Sequence, residues 1–270
     1  MSTVTIDRCV FPCGPVAGAL VTAHAWAQTA PVPAGPADPK LIEDLVAANR
    51  VLADQGVVDG YGHVSVRHPA DPQRYLMACS IAPEMVTAGD VMEFDLDSNP
   101  VDPRGRASYL ERFIHGEIYR ARPDVTAVVH NHSPSVIPFG VSTAPLRPLY
   151  HMSAFLGGGV PVFDIKIAAG QATDMLVRTP ALGRALAQTL GPRPGALMRG
   201  HGAVVVADSL PRAVFRSVYT EMNARLQAQA MALGGPVTYL DDEEARRAEA
   251  SVAGTISRPW ELWKKKALAR

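Results

Sequence analysis

The stretch AVVHNHSPS, residues 127–135, constrains this chain more than any other. The run leading into it, DVTAVVH, is short and rich in β-branched residues, the pattern of a buried strand. Ser133 and Pro134 then break that pattern. Residues i and i+2 of a strand share a face. The imidazoles of His130 and His132 therefore leave the strand end side by side, while Asn131 points the other way and reads as structural. A strand that delivers two histidines to one edge raises the question of what they hold.

The flanking sequence alternates between helical and strand signals. DPKLIEDLVAANRVLADQG predicts a helix, with Asp38 as N-cap and Pro39 at the first helical position. Leu41, Leu45, Ala48 and Leu52 recur at helical spacing, and Gly56 stops the run. In GHVSVRHP, His63, Ser65 and Arg67 alternate with Val64 and Val66, which predicts a half-buried strand. RYLMA and VMEFDLD predict two more, and DLDSNPVDPRGR reads as a loop. SYLERFIHGEIYRARPD predicts a helix capped by Ser108, with Glu111 three residues later as in a capping box, and ended by Pro123.

Beyond the histidine strand, SPSVIPFG predicts a short helix. The segment PLYHMSAFLGGGVPVFD combines an apolar stretch, a glycine turn at 157–159 and a strand into Asp164. QATDMLVRTPALGRALAQTLG predicts a helix with a break near Pro180. GALMRGHGAVVVAD reads as two strands joined at a Gly-His-Gly corner. A long amphipathic helix follows, capped by Ser209, with Pro211 near its start and Gly234 and Gly235 at its end. There is no internal repeat, and helices alternate with short strands, so the class is α/β, or α+β by some schemes, in a single domain. The expected organisation is an N-terminal arm and Pro/Ala-rich linker over 1–37, a domain over 38–235 and an extension over 236–270.

Composition excludes some functions. Lys+Arg and Asp+Glu both total 26, so no basic excess exists to neutralise a phosphate backbone, and no nucleic-acid partner is expected. The basic tail WELWKKKALAR reads as a solvated helix or a frayed end. No stretch is apolar for long enough to span a membrane. Cys9, Cys13 and Cys79 form neither a disulfide framework nor a zinc quartet and read as incidental. Residues 16–28, VAGALVTAHAWAQ, are apolar and end in Ala25, Trp26 and Ala27, like a cleavage site. Only Arg8 precedes them as a positive charge, and Pro12 and Pro15 interrupt the approach. The leading expectation is a cytoplasmic protein with an irregular arm; the alternative is an exported one cleaved near Ala27.

Three features carry chemistry: His130 with His132, His201 between glycines in RGHGAV, and Glu111 in the helix before the histidine strand. Three neutral imidazoles and a carboxylate suit a divalent ion, and an ion with an open position polarises a carbonyl or phenolate oxygen. Each histidine alone is weak evidence, because a strand histidine is more often a satisfied core residue.

Together, GHVSVR, ERFIHGEIYRARPDVTAVVHNH and MRGHG resemble the class II aldolase/adducin family, over residues 41 to about 234. The resemblance implies a three-layer domain with a central, largely antiparallel sheet flanked by helices. It implies a metal held by His130, His132 and His201, with Glu111 as fourth ligand or acid/base group. It implies a homo-oligomer, commonly a tetramer, with active sites near subunit interfaces. Mn²⁺ or Zn²⁺ is expected, and Fe²⁺ fits the same ligands.

Departures from the family pattern bear on the substrate, which is expected to be a small molecule. Sugar-phosphate aldolases of the family carry G-N-x-S-x-R where this chain has GHVSVR, and a serine pair where it has Tyr109 and Leu110. A phenol and a leucine make a poor phosphate cradle. The aldolases' catalytic tyrosine, nineteen residues after the second metal histidine, corresponds here to His151, with Tyr150 beside it. Histidine, with an ordinary pKa of about 6.5 against about 10 for tyrosine, carries a transferable proton near neutrality. The G-H-x-S-x-R form resembles a branch of hydroxy-aromatic and hydroxypyridine carboxylate decarboxylases, such as those acting on 3-hydroxy-2-methylpyridine-4,5-dicarboxylate. The resemblance thus implies a metal-dependent decarboxylating lyase, with Glu111 or His151 supplying the proton. His63, Ser65, Arg67, Tyr109 and Arg199 are the expected substrate contacts, with Arg147 a further guanidinium for a second carboxylate. The alternatives are aldol cleavage of an unphosphorylated hydroxy-keto substrate, a non-catalytic adducin-like module, and an iron-dependent oxygenase. His68 and His115 are expected to be structural.

Overall fold

A computed structural model describes residues 32–269. The signal-like segment 16–28 and the pair Cys9 and Cys13 lie outside the described residues. Helix α1 (Pro39–Asp54) starts as its sequence dictates: Asp38 accepts from the Lys40 N–H at 2.9 Å, and Pro39 occupies the first turn. Gly56, at φ +68°, turns the chain away from it. Strands β1 (His63–Arg67), β2 (Arg74–Ala78) and β3 (Val91–Asp95) follow as an antiparallel meander. Helix α2 (Phe113–Ala121) leads into β4 (Ala127–Asn131) and the short α3 (Ile137–Val141).

After a 3₁₀ turn at His151–Leu156 come β5 (Val162–Phe163), α4 (Ile165–Ala169), α5 (Pro180–Leu190), β6 (Gly195–Met198) and β7 (Gly202–Ala207). Three helices complete the chain: α6 (Leu210–Ala232), α7 (Asp242–Ala253) and α8 (Ser257–Leu268). Among the described residues, the strands form one seven-stranded sheet in the order β3-β2-β1-β4-β7-β6-β5, antiparallel except for β5 with β6. Strand β4 lies at its centre, between β1 and β7.

Both faces of the sheet are covered. Val64, Val66, Ala127, Val129 and Val205 pack against α1, α6 and α8. Tyr75, Met77, Val128, Val204 and Val206 pack against Ile114 and Ile118 of α2 and Leu186 and Leu190 of α5. Strand β1 is therefore buried on both faces rather than half-buried: His63 and Ser65 face α2, while Val64 and Val66 face α1. Two polar residues stay on a buried face because each finds a side-chain partner there.

Three further sequence expectations change. Helix α2 begins at Phe113, so Ser108 does not cap it, and Glu111 is left in the preceding turn with its carboxylate free for other partners. Residues 171–178 are irregular, and α5 starts only at Pro180, capped by Thr179. The basic tail is α8, a helix solvated on one face, with Lys265 and Lys266 exposed, but docked on the other: Trp260 is buried, and Lys264 pairs with Glu43 and Asp44 of α1, both at 2.6 Å. No helix among the described residues is long and apolar enough to cross a membrane.

Candidate metal centre

The sheet register decides where the histidines go. His130, near the end of β4, lies opposite His63 of β1 and Val204 of β7. Its Nδ1 lies 3.2 Å from the carbonyl of Ala203, fixing the ring. His132 stands one residue beyond the strand. The turn that follows is tied down by Glu221 of α6, which accepts from the hydroxyls of Ser133 and Ser135 and from the Ser135 N–H. On the neighbouring strand, His201 sits in a corner whose closeness depends on Gly202. A Cβ there would drive into the carbonyl of Asn131 and the Cα of His132.

His201 and Glu111 are oriented by the irregular segment that the sequence predicts as helix. Met175 holds φ at +71°, a left-handed conformation uncommon for a residue with a side chain, and its carbonyl takes the His201 Nδ1–H at 2.9 Å. Two residues on, the Val177 N–H donates to Glu111 Oε1 at 2.9 Å. The other carboxylate oxygen is 3.4 Å from His130 Nε2 and 3.4 Å from His201 Nε2. His201 Nε2 is 3.0 Å from His132 Nε2. One donor atom from each of Glu111, His130, His132 and His201 lies within 4.8 Å of every other. A tetrahedral ion with bonds of about 2.1 Å spaces its donors by about 3.4 Å, so the group has the dimensions of a metal site.

The donor chemistry fits as well. His130 and His201 spend Nδ1 on backbone carbonyls, which assigns a proton there and turns each Nε2 to the centre, where an ion can displace any proton it shares with Glu111. His130 Nε2 is buried without a hydrogen-bond partner. Such an atom costs free energy unless something fills the gap, and a divalent cation fills it. Burial pushes His132 down to about 4, helped by the charges of His130 and His201, so this ring too offers a lone pair at neutral pH. Burial would raise the Glu111 carboxyl, but pairing with His130 and His201 outweighs it and holds the group well below the usual range. Burial also lowers His201, and the hydrogen bond and charge of Glu111 reverse that and raise it.

Beside the group opens a cavity of about 290 Å³, lined by Tyr61, His63, Ile81, Tyr109, Leu110 and Leu176 as well as Glu111, His130 and His132. Tyr109 donates its phenol proton to the Ile81 carbonyl, and its ring lies 4.6 Å from that of His63. Burial raises the phenol to about 12, so it stays protonated.

Of the residues expected at the site, the fold brings together the four candidate ligands, His63 and Tyr109. It does not bring the others. Ser65 is one layer deeper, bonded to His115 and to Tyr119. Arg67 is structural: its guanidinium binds the carbonyls of Pro72, Tyr119, Arg122 and Val125 and lies 4.7 Å over the Tyr119 ring. Arg199 pairs with Asp164 at 2.7 Å, and Arg147 lies 4.4 Å over the Tyr239 ring. His151 is exposed and lines a separate cleft with Arg212, Arg216 and Glu249, so within one chain it stands apart from the metal group. Sequence reasoning missed Met175, Val177 and Glu221. The first two act through backbone atoms, for which residue type carries no signal.

A mostly antiparallel central sheet with three histidines and a glutamate gathered at one end of its middle strands defines a fold with a candidate metal-binding group. The chain belongs to the class II aldolase and adducin family, whose N-terminal domain model matches residues 43–228. It is 35% identical over 244 residues to decarboxylase tropJ of Talaromyces stipitatus, covering 82% of this chain and 92% of that one. It is 32% identical over 216 residues to the 3,4-dihydroxyphthalate decarboxylase of Arthrobacter keyseri, covering 75% of this chain and 83% of the relative. The fold matches an aldolase II superfamily protein from Pseudomonas syringae with a TM-score of 0.72 at 22% identity, over 86% of this chain and 94% of that one. Class II aldolases are metal-dependent enzymes, and this chain is an enzyme of the lyase class.

Proposed function

We propose that the chain is a divalent-metal-dependent decarboxylase acting on a hydroxylated aromatic carboxylate. The observation that carries this reading is the wall of the cavity beside the metal group. Tyr61, Ile81, Tyr109, Leu110 and Leu176 offer flat and apolar surface, which suits an aromatic ring. The same wall is poor for a sugar phosphate, because the Tyr109 hydroxyl is spent on Ile81 and Leu110 has none. The likeness to a 3,4-dihydroxyphthalate decarboxylase supports the same substrate class.

His130, His132, His201 and Glu111 would hold the ion, which when bound supplies Lewis-acid polarisation of a ring hydroxyl and the neighbouring carboxylate. The protein's residues do the rest. The apolar wall orients the ring beside the ion site. His63, whose Nδ1 is committed to His115, turns its other nitrogen to the cavity it lines. As the carbon–carbon bond breaks, its electron pair stays on the ring carbon, CO₂ departs, and that carbon takes a proton. Glu111 is held ionised and must first gain a proton before it can give one. His151 reaches a cavity only from a neighbouring copy, which a homotetramer with interfacial sites provides. Mn²⁺, Zn²⁺ and Fe²⁺ all suit the donor set.

The experiment is CO₂ release from a panel of ortho-hydroxy aromatic mono- and dicarboxylates, with each of the three metals supplied. CO₂ should appear with at least one acid, stop on chelation and return with metal. Cleavage of an aldol substrate such as L-fuculose 1-phosphate, with no CO₂ from any acid, would overturn the proposal.

A further inference from the structure

We propose that His63 meets its ligand as a hydrogen-bond donor, and that a buried file of three side chains, His115, Ser65 and Tyr119, imposes this state on it. His63 Nδ1 is 2.6 Å from His115 Nε2. His115 Nδ1 is 2.6 Å from Ser65 Oγ, which is 2.8 Å from the Tyr119 hydroxyl. The four residues are 4%, 0%, 0% and 1% exposed, so no solvent can supply alternative partners. His63 stands where the file meets the cavity, its ring 5.0 Å from that of His130 and 4.6 Å from that of Tyr109.

A neutral imidazole carries one ring proton, and a hydroxyl donates once. The file therefore has only two self-consistent arrangements. If Tyr119 donates to Ser65, then Ser65 donates to His115 Nδ1, His115 Nε2–H donates to His63 Nδ1, and His63 presents Nε2–H to the cavity. If Tyr119 donates instead to the Thr126 carbonyl, every bond reverses and His63 presents a lone pair. The 2.8 Å contact between Ser65 and the phenol serves either arrangement, but the reversed one must send the Tyr119 proton to the Thr126 carbonyl 3.4 Å away, beyond the usual O–H···O range, and this favours the first. Burial also keeps His115 neutral, its pKa pushed down to about 3.

A donor at this place selects an acceptor oxygen on the ligand, and a carboxylate makes the strongest such bond. That identification rests on the decarboxylase reading; the direction of the file does not. His115, Ser65 and Tyr119 are positioning residues that act through His63, which alone of the four reaches the cavity.

The test uses the zinc-loaded, ¹⁵N-histidine-labelled protein, with the ring-nitrogen shifts of His63 assigned by comparison with His63→Gln. His63 should be protonated at Nε2 and unprotonated at Nδ1. Ser65→Ala removes the hydroxyl that donates to His115 Nδ1, so either ring can then donate to the other and His63 should populate both tautomers. Affinity for phthalate, a non-reacting dicarboxylate probe, should fall about tenfold, with bound zinc unchanged. Ser65→Thr, which keeps a hydroxyl, should preserve the wild-type tautomer. Protonation at Nδ1 in the wild type, or a tautomer indifferent to Ser65→Ala, overturns the proposal. These shifts need no turnover, so a protein that releases no CO₂ from any acid but shows the expected tautomer refutes the function and leaves the file standing.

Discussion

Two segments set the four candidate ligands, two apiece, by opposite means. The end of β4 contributes side chains: His130 and His132 are donors themselves, aimed by a strand whose register is fixed on both sides. The strap at residues 173–177 contributes backbone: the Met175 carbonyl orients His201, and the Val177 N–H anchors Glu111. One segment supplies the chemistry and the other its aim. The difference teaches that a site can be half specified by residue type and half by chain path.

That division can be attacked directly. The largest effect should come from the side-chain half. His130→Ala should strip the ion and lower activity by roughly a thousandfold or more, read by elemental analysis together with CO₂ release. If the variant keeps stoichiometric metal, His130 is not a ligand. Next comes the backbone half. Val177→Pro deletes the N–H that holds Glu111 and should weaken metal binding about 10–100-fold. Val177→Ala keeps that N–H while trimming a fully buried side chain, so it should cost roughly 1–3 kcal/mol of stability with metal affinity nearly intact. Equal metal loss in both variants would mean that the strap acts through packing.

Acid should release the ion by a graded route. Proton and metal compete for the same lone pair, so affinity falls as pH falls. Glu111 raises His201 despite its burial, so competition at His201 starts at a higher pH than for an ordinary imidazole. His132, held down to about 4, competes only in stronger acid. A metal titration across pH should show occupancy declining first through His201, and His201→Ala should remove that early phase along with most affinity. The smallest effect belongs to Met175→Gly. Glycine adopts the left-handed backbone freely and keeps the carbonyl, so metal affinity should stay within about threefold. A large loss would show that the Met175 side chain matters after all.

The same contrast explains what could be read from the sequence. The clustering of His130, His132, His201 and Glu111 was legible because metal chemistry restricts residue type, and β4 was legible because burial on both faces leaves a run of β-branched residues. Helix α1 was legible through its cap and proline. Ser108 misled because a capping-box pattern competes with a stronger pull: the Glu111 carboxylate finds two histidines and a backbone N–H instead. Residues 171–178 misled because they run straight into the helical pattern after Pro180, whereas Met175 and Val177, two residues apart, have the spacing of an extended strap folded onto a core. Arg67 and Ser65 misled because they share a strand face with His63, but each step of two residues along β1 leads further from the cavity and deeper under α2. His115, set aside as structural, lies in the buried file behind His63.

The apolar cavity wall hangs on turns, whereas the three candidate histidines are fixed by the sheet and its corner. Ile81 follows β2, Tyr109 and Leu110 precede α2, and Leu176 sits between two residues that serve through their backbone alone. Replacing the Leu176 side chain leaves both of those backbone bonds in place. A lineage built on this scaffold can therefore change what the cavity accepts one turn at a time, inheriting the candidate ligand set unchanged while its diet diverges.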